Sequence, residues 1–309
     1  MRKQSVGSII GYPKDGLSEH TIDGVSSSGV SPDAIYVDQS DAPREPSEAL
    51  RLKQYNEREL PWDKWAEQVR EPELVSVVIP VFNQLVLTEQ CIRSLFAAQT
   101  SIRFEVVCVD NGSQPETQAL LTRLAEEFTD VHMVHNATNL NFALGCNIGF
   151  GASRGGRVVF LNNDTEVTDY WLDHLISRLD QGDCFGVQPQ LLYPDATLQC
   201  MGVVFSDKST LGYPIYAQMD PSDCIADKPR QFKALTAACI GLNAADFAAV
   251  RGFDAIYING QEDVDLCLRL GERTGKPGAY VPSSRVVHHE SKSQGRGLNV
   301  TQNRQIFVH

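Results

Sequence analysis

From residue 75 onward the sequence predicts an α/β fold, a mainly parallel sheet with helices on both faces. Three observations carry this. Apolar runs of strand length alternate with longer segments striped at helical spacing. The runs stop on Pro, Gly, Asn or Asp. Polar residues gather just past those stops, at the carboxyl ends where such sheets bind ligands.

Residues 1 to about 73 precede the pattern. They are rich in Ser, Asp, Glu, Pro and Gly, with no sustained period, and read as an N-terminal extension that is partly disordered. Within it, residues 49–69 carry Leu52, Tyr55, Leu60, Trp62 and Trp65, enough for one or two helices docking on a main domain at 74–309. Residues 75–79 form a buried strand closed by Pro80. Cys91, Ile92, Leu95 and Phe96 stripe a helix over 88–99, and a second strand over 104–109 ends on Asp110-Asn111-Gly112. Leu120, Leu121, Leu124 and Phe128 mark the next helix. Strands follow at 131–134 and 158–161, with a helix through 143–151 between them and another over 171–179 after them. Beyond this the texture loosens: a strand at 185–192, a loop at 206–230, an apolar run at 234–242 and a short helix at 245–250 stopped by Gly252. An amphipathic helix over 262–273 is capped by Gly275. The apolar segment at 303–309 stops abruptly, as in a fragment of a longer multidomain protein.

Bulk properties narrow the function. With 27 basic and 39 acidic residues the net charge is −12, which argues against a nucleic-acid or anionic-membrane surface. The eight cysteines are scattered singly with no C-x-x-C pair, so a reducing, cytoplasmic compartment is expected rather than a disulfide framework or zinc site. No run of about 18 apolar residues suggests a transmembrane helix. Any peripheral attachment to a membrane is expected to lie in other parts.

Four segments carry chemistry. Asn162-Asn163-Asp164 ends a strand, and Asp164 is a hard oxygen ligand suited to Mg²⁺ or Mn²⁺; a plain turn explains the same residues. Asp110-Asn111-Gly112-Ser113 places a carboxylate where it can bond a base or ribose, or merely cap its turn. In Glu262-Asp263-Val264-Asp265 three acids open a helix. The macrodipole welcomes one such charge, and a carboxylate general base for an acceptor hydroxyl accounts for a second. His288 and His289 end an apolar strand and point to opposite sides, so at most one faces the cleft, where a neutral imidazole can complete a carboxylate/His metal site; a surface strand end with solvated histidines explains the same pair.

Taken in this order, the segments from residue 75 to 309 resemble the family-2 inverting glycosyltransferases of GT-A fold, a Rossmann-like sheet with a smaller acceptor-side region. The resemblance is strongest to bacterial O-antigen and capsule enzymes of the rhamnosyltransferase type. Val77-Val78-Ile79-Pro80-Val81-Phe82-Asn83 resembles the family's opening strand. Pro80, Phe82, Asn83, Asp110, Asn141, Asn147 and Asn163 are thereby implied in nucleotide binding. Asn162-Asn163-Asp164 stands where the family has its D-x-D motif, with the first acid replaced. Asp164 and His288 are the implied ligands of a divalent cation, Mn²⁺ or Mg²⁺, and Asp263 with Glu262 the implied catalytic acids. Gln188-Pro189-Gln190-Leu191-Leu192, with Gln199 and Gly202, looks like a stretch typical of the O-antigen branch. The resemblance implies an enzyme moving a sugar from a nucleoside-diphosphate donor, dTDP-rhamnose or a UDP-hexose, to a glycan or lipid-linked glycan acceptor. Segments 206–230 or 291–302, the latter with Lys292 and Arg296, would close over the donor. The Q-x-x-R-W signature of processive members is missing. Two other classes compete. A nucleotidyltransferase would need a glycine-rich basic loop after the first strand, and residues 80–87 contain neither Gly nor a basic residue. A catalytically silent glycan- or nucleotide-binding domain of a multidomain synthase would bind without turnover.

Overall fold

The computed structural model describes residues 47–206, 209–290 and 299–308, and these open with α1 (Glu48–Arg58) and α2 (Trp62–Glu67). The Ser47 hydroxyl caps α1 by accepting from Leu50 N–H. Trp62 is buried, donates Nε1–H to the Asn56 carbonyl at 2.9 Å and stacks on Phe150 at 6.2 Å. Trp65 meets Trp62 edge-on at 4.9 Å. The two helices are thus fastened by aromatic packing, and all described residues from 47 on share one compact unit.

Next come β1 (Glu71–Val81), α3 (Leu85–Ala97), β2 (Phe104–Asp110), α4 (Pro115–Glu127), β3 (Val131–His135), α5 (Asn141–Ala152) and β4 (Gly155–Leu161). The strands are parallel in the order β3-β2-β1-β4, with Val77 beside Val106 and beside Val159. Strand alternation sends Val77 and Ile79 to one face, against α3 and α4, and Val78 to the other, with Leu144 and Phe150 of α5. Helix α3 starts three residues before the expected 88, because Asn83 and Gln84 take left-handed backbone and complete the strand-to-helix turn at once.

The second half adds β5 (Thr165–Val167), α6 (Trp171–Leu179), β6 (Gly186–Leu192), β7 (Leu198–Cys200), β8 (Val203–Ser206), β9 (Ser209–Pro214), β10 (Arg230–Phe232), β11 (Cys239–Asn243), α7 (Ala244–Ala249), α8 (Glu262–Thr274), β12 (Gly278–His288) and α9 (Val300–Val308). The sheet runs β10-β12-β6-β11-β4-β1-β2-β3. Strand β11 is antiparallel to both β4 and β6 and so joins the two parallel blocks. The span expected as a loop at 206–230 is partly ordered. β8 and β9 pair antiparallel, and residues 230–232 add an edge strand to β12. Strands this short carry too few residues for a period to show. Lys292 and Arg296 lie outside the described residues.

Candidate active site

The strand order reverses at β1, whose neighbours are β2 and β4, and the carboxyl ends of β1 and β4 form the crevice where such sheets bind ligands. Pro80 is buried in β1 beside Val109, whereas Phe82 just beyond is 42% exposed, an aromatic face at the rim. Asn83 N–H donates to Ser113 Oγ at 2.9 Å and its Oδ1 accepts from Gln114 N–H at 2.8 Å, tying the loop after β1 to the loop after β2. Asp110 is buried. Its Oδ1 accepts from Ser113 N–H at 2.8 Å and its Oδ2 lies 2.7 Å from His135 Nδ1, so it braces its own turn. Gly112 has φ +71°, and a Cβ there would meet the Thr138 backbone at 2.9 Å; only glycine fits.

Asn141 opens α5 in left-handed backbone, with its Oδ1 accepting from Asn259 at 3.3 Å. Asn163 reaches Thr88 Oγ1 at 2.9 Å. Asn147 requires a correction. It is wholly buried, donates to the Phe253 carbonyl at 2.8 Å and to Asn56 Oδ1 at 2.7 Å, and accepts from Phe253 N–H at 3.0 Å. Its amide is spent inside the core, joining α1 and α5 to the 252–254 turn, and none of it faces the crevice.

Past β4 the chain turns through Asn162-Asn163-Asp164 into β5. Antiparallel pairing of β5 with β12 sets His288 opposite Thr165, next to Asp164. His289 N–H donates to the Asp164 carbonyl at 2.9 Å, locking the two segments together. His288 Nε2 lies 3.1 Å from Asp164 Oδ1 and 3.2 Å from Asn162 Nδ2, with His288 and Asp164 both buried. His289 faces the other way, onto Glu166 at 2.7 Å. The expected opposition of the two rings therefore holds, and His288 is the inward one.

The three acids of α8 part company. Glu262 is buried and turns back to accept from Gly260 N–H. Asp265 forms an ion pair with Arg269, with contacts of 2.8 and 2.6 Å. Asp263 alone leans toward the approach to β11, accepting from Ala237 N–H at 3.2 Å and Val264 N–H at 2.8 Å. Burial pushes its carboxyl above the usual carboxylate range, against the pull of these N–H groups and of the Thr236 side chain. The next residue, Ala238, accepts from Asn162 N–H at 3.0 Å. Two successive residues, Ala237 and Ala238, thus link the Asp263 carboxylate to the Asn162–Asp164 turn.

Residues 76–198 match the family model described as Glycosyl transferase family 2. The chain carries a glycosyl transferase family 2 domain. It is 32% identical over 236 residues, 73% of its length, to the O-antigen biosynthesis protein RfbC of Myxococcus xanthus, of which it spans 18%. Over 65 residues it is 43% identical to the N-acetylglucosaminyl-diphospho-decaprenol L-rhamnosyltransferase of Mycobacterium tuberculosis, covering 20% of each chain. Its fold is like that of the mannosyltransferase PcManGT of Pyrobaculum calidifontis, solved with GDP-Man and Mn²⁺. The TM-score is 0.54 at 17% identity, over 84% of this chain and 71% of that one. The architecture is that of the GT-A glycosyltransferases. The family 2 match ends at β7 and so contains Asp164 but neither Asp263 nor His288. Sequence reasoning gave no role to Asn162 or Gln199, both of which contact His288, because nothing in a strand-end Asn or Gln marks its partner.

The pair suits a hard divalent ion by its chemistry: a carboxylate oxygen and an imidazole nitrogen face each other in a buried place. Among the described residues no group of three or more His, Cys, Asp or Glu side chains is placed to hold a metal. Such an ion would therefore keep positions open to water and phosphate oxygens, as Mg²⁺ commonly does. No helix among the described residues is long and apolar enough to cross a membrane.

Proposed function

We propose that the chain is an inverting glycosyltransferase. It would move a sugar from a nucleoside-diphosphate donor, dTDP-rhamnose or a UDP-hexose, to a glycan hydroxyl in bacterial surface-polysaccharide synthesis. The observation that carries the reading is the placement of Asp263 beside the segment that positions Asp164 and His288, at the carboxyl ends of one sheet. The names of the Myxococcus and Mycobacterium relatives support the donor and pathway class.

Phe82 stacks on the base, and the turns holding Pro80, Asn83, Asp110, Asn141 and Asn163 shape the nucleoside site around it. Asp164 and His288 would hold Mn²⁺ or Mg²⁺, whose charge would stabilise the departing diphosphate. Asp263 accepts the proton of the acceptor hydroxyl as that oxygen attacks the anomeric carbon from the face opposite the leaving group, which inverts the configuration. Its raised proton affinity makes the carboxylate a better base than a solvated one. Glu262 supports it at one remove, by holding the loop before α8.

The test is donor turnover with Mn²⁺ present and absent, for wild type and Asp263→Asn. Metal-dependent turnover in wild type, lost in Asp263→Asn with nucleotide binding kept, is the expected result. Equal loss of binding and turnover would sink the base assignment. Donor binding without turnover under any condition would mark a silent binding domain.

A further inference from the structure

Gln199, at the centre of β7, is buried and lies against the strand end that carries His288. Its amide nitrogen has two neighbours, the His288 carbonyl at 3.5 Å and Glu290 Oε2 at 3.3 Å. Both are acceptors without a proton to give, so the NH₂ group must face them. Reversing the amide would set Gln199 Oε1 against a carbonyl and a carboxylate. The orientation is therefore fixed by groups other than the imidazole ring. It leaves Oε1 2.8 Å from His288 Nδ1. An amide oxygen only accepts, so Nδ1 carries a proton. In a neutral imidazole the other nitrogen then holds the lone pair. That nitrogen, Nε2, can accept from the Asn162 amide at 3.2 Å. Asp164 Oδ1, itself only an acceptor, faces the same lone pair at 3.1 Å, an approach that a cation between the two would relieve.

We propose that Gln199 is a positioning residue, which holds His288 as the Nδ1–H tautomer and so presents the Nε2 lone pair beside Asp164 Oδ1 for a hard divalent cation. This rests on the reading of Asp164 and His288 as the metal pair. It adds the group that decides which face of the ring can ligate. Second-shell partners of this kind orient a ligating histidine and set its basicity. The hold is transmitted along the sheet: β7 pairs with β6, which lies beside β12, so Gln199 and His288 belong to one hydrogen-bonded framework.

The test has two readouts. The first is long-range ¹H–¹⁵N NMR of the His288 ring in metal-free wild type, at an alkaline pH where the ring ¹⁵N shifts report a neutral imidazole. The proposal expects a protonated Nδ1 and an unprotonated Nε2. A proton on Nε2 would overturn it without any variant. The second is Mn²⁺ titration of wild type, Gln199→Leu and Gln199→Glu. Gln199→Leu removes the acceptor and is expected to admit the Nε2–H tautomer and weaken Mn²⁺ binding roughly 10–100-fold. Gln199→Glu keeps an acceptor toward Nδ1 but turns its second oxygen on the His288 carbonyl and Glu290, and is expected to bind Mn²⁺ better than Gln199→Leu and less well than wild type. Unchanged tautomer and Mn²⁺ affinity in Gln199→Leu would overturn the proposal. Failure of wild type to bind Mn²⁺ would instead defeat the metal-pair reading, and the ring signature would still decide the role of Gln199.

Discussion

The two halves of the sheet are held together differently. In the β3-β2-β1-β4 half the buried strand interiors are apolar save for Ser76 at the middle of β1, and other buried polar groups sit near strand ends. Glu105 near the amino end of β2 is held by Ser76 at 2.6 Å and Arg154 Nε at 2.7 Å, and Asp110 lies at the carboxyl end. Burial alone would raise the Glu105 carboxyl. The Ser76 and Arg154 bonds outweigh it and bring the group below the usual range. In the β6–β12 half, polar side chains run through the interior. Gln188 joins the Cys200 carbonyl at 3.1 Å to Thr236 N–H at 2.9 Å, and Gln190 reaches Tyr280 Oη at 2.9 Å. The first half is an apolar shelf packed on both faces by helices. The second positions its functional groups by directional bonds, each exacting a desolvation penalty if left unmade.

That contrast can be broken at several points. The largest effect is expected at Asp263→Asn, with transfer falling about 10²–10⁴-fold and donor Kd nearly unchanged, checked by turnover and calorimetry. The wild-type pH profile tests the same residue. Its carboxyl is raised, the base form is the carboxylate, and so transfer should climb with pH through a midpoint above the ordinary carboxylate value of about 4 and fall away below it. A midpoint at or below 4 would contradict the assignment.

Next comes Phe160→Ala in the shelf, where the ring packs on Phe247 at 4.7 Å and Phe253 at 5.1 Å. It should cost about 3–5 kcal/mol of stability by denaturant titration. Gln188→Leu in the polar half should cost less, about 1–3 kcal/mol, by orphaning Thr236 N–H and the Cys200 carbonyl. It should also lower transfer in the folded protein, because Thr236 and Ala237 set the place of Asp263. Were Phe160→Ala the more damaging to transfer at temperatures where both are folded, the division of labour would be wrong. Smallest is Phe82→Ala at the rim, which should leave stability alone and weaken nucleotide binding by about 1 kcal/mol, roughly fivefold.

The same contrast governs what could be read before the structure. The shelf was legible because strand-length runs and helical stripes repeat over whole elements, and its candidate site residues Asn83, Asp110 and Asp164 lie where β1, β2 and β4 stop. Helix α8 and its Gly275 cap, in left-handed backbone at φ +68°, were legible for the same reason. Asn147 misled because a motif match says nothing about facing. On α5 it points into the core, where Gly252, at φ +65°, lets the 252–254 turn approach its amide. The β8–β9 hairpin was hidden by its shortness. The partnership of Gln199 with His288 spans 89 residues and exists only once β7 and β12 are laid beside the same strand.

The central claim is that Asp164 and His288 form one metal-binding pair at the end of β4. Anomalous diffraction from crystals grown with Mn²⁺ and a nucleoside diphosphate tests it most directly. The account expects a single strong Mn²⁺ peak bonded to both the Asp164 carboxylate and His288 Nε2, with diphosphate oxygens completing its shell. A peak that engages Asp110 or Glu166 and leaves His288 in contact only with protein would contradict it.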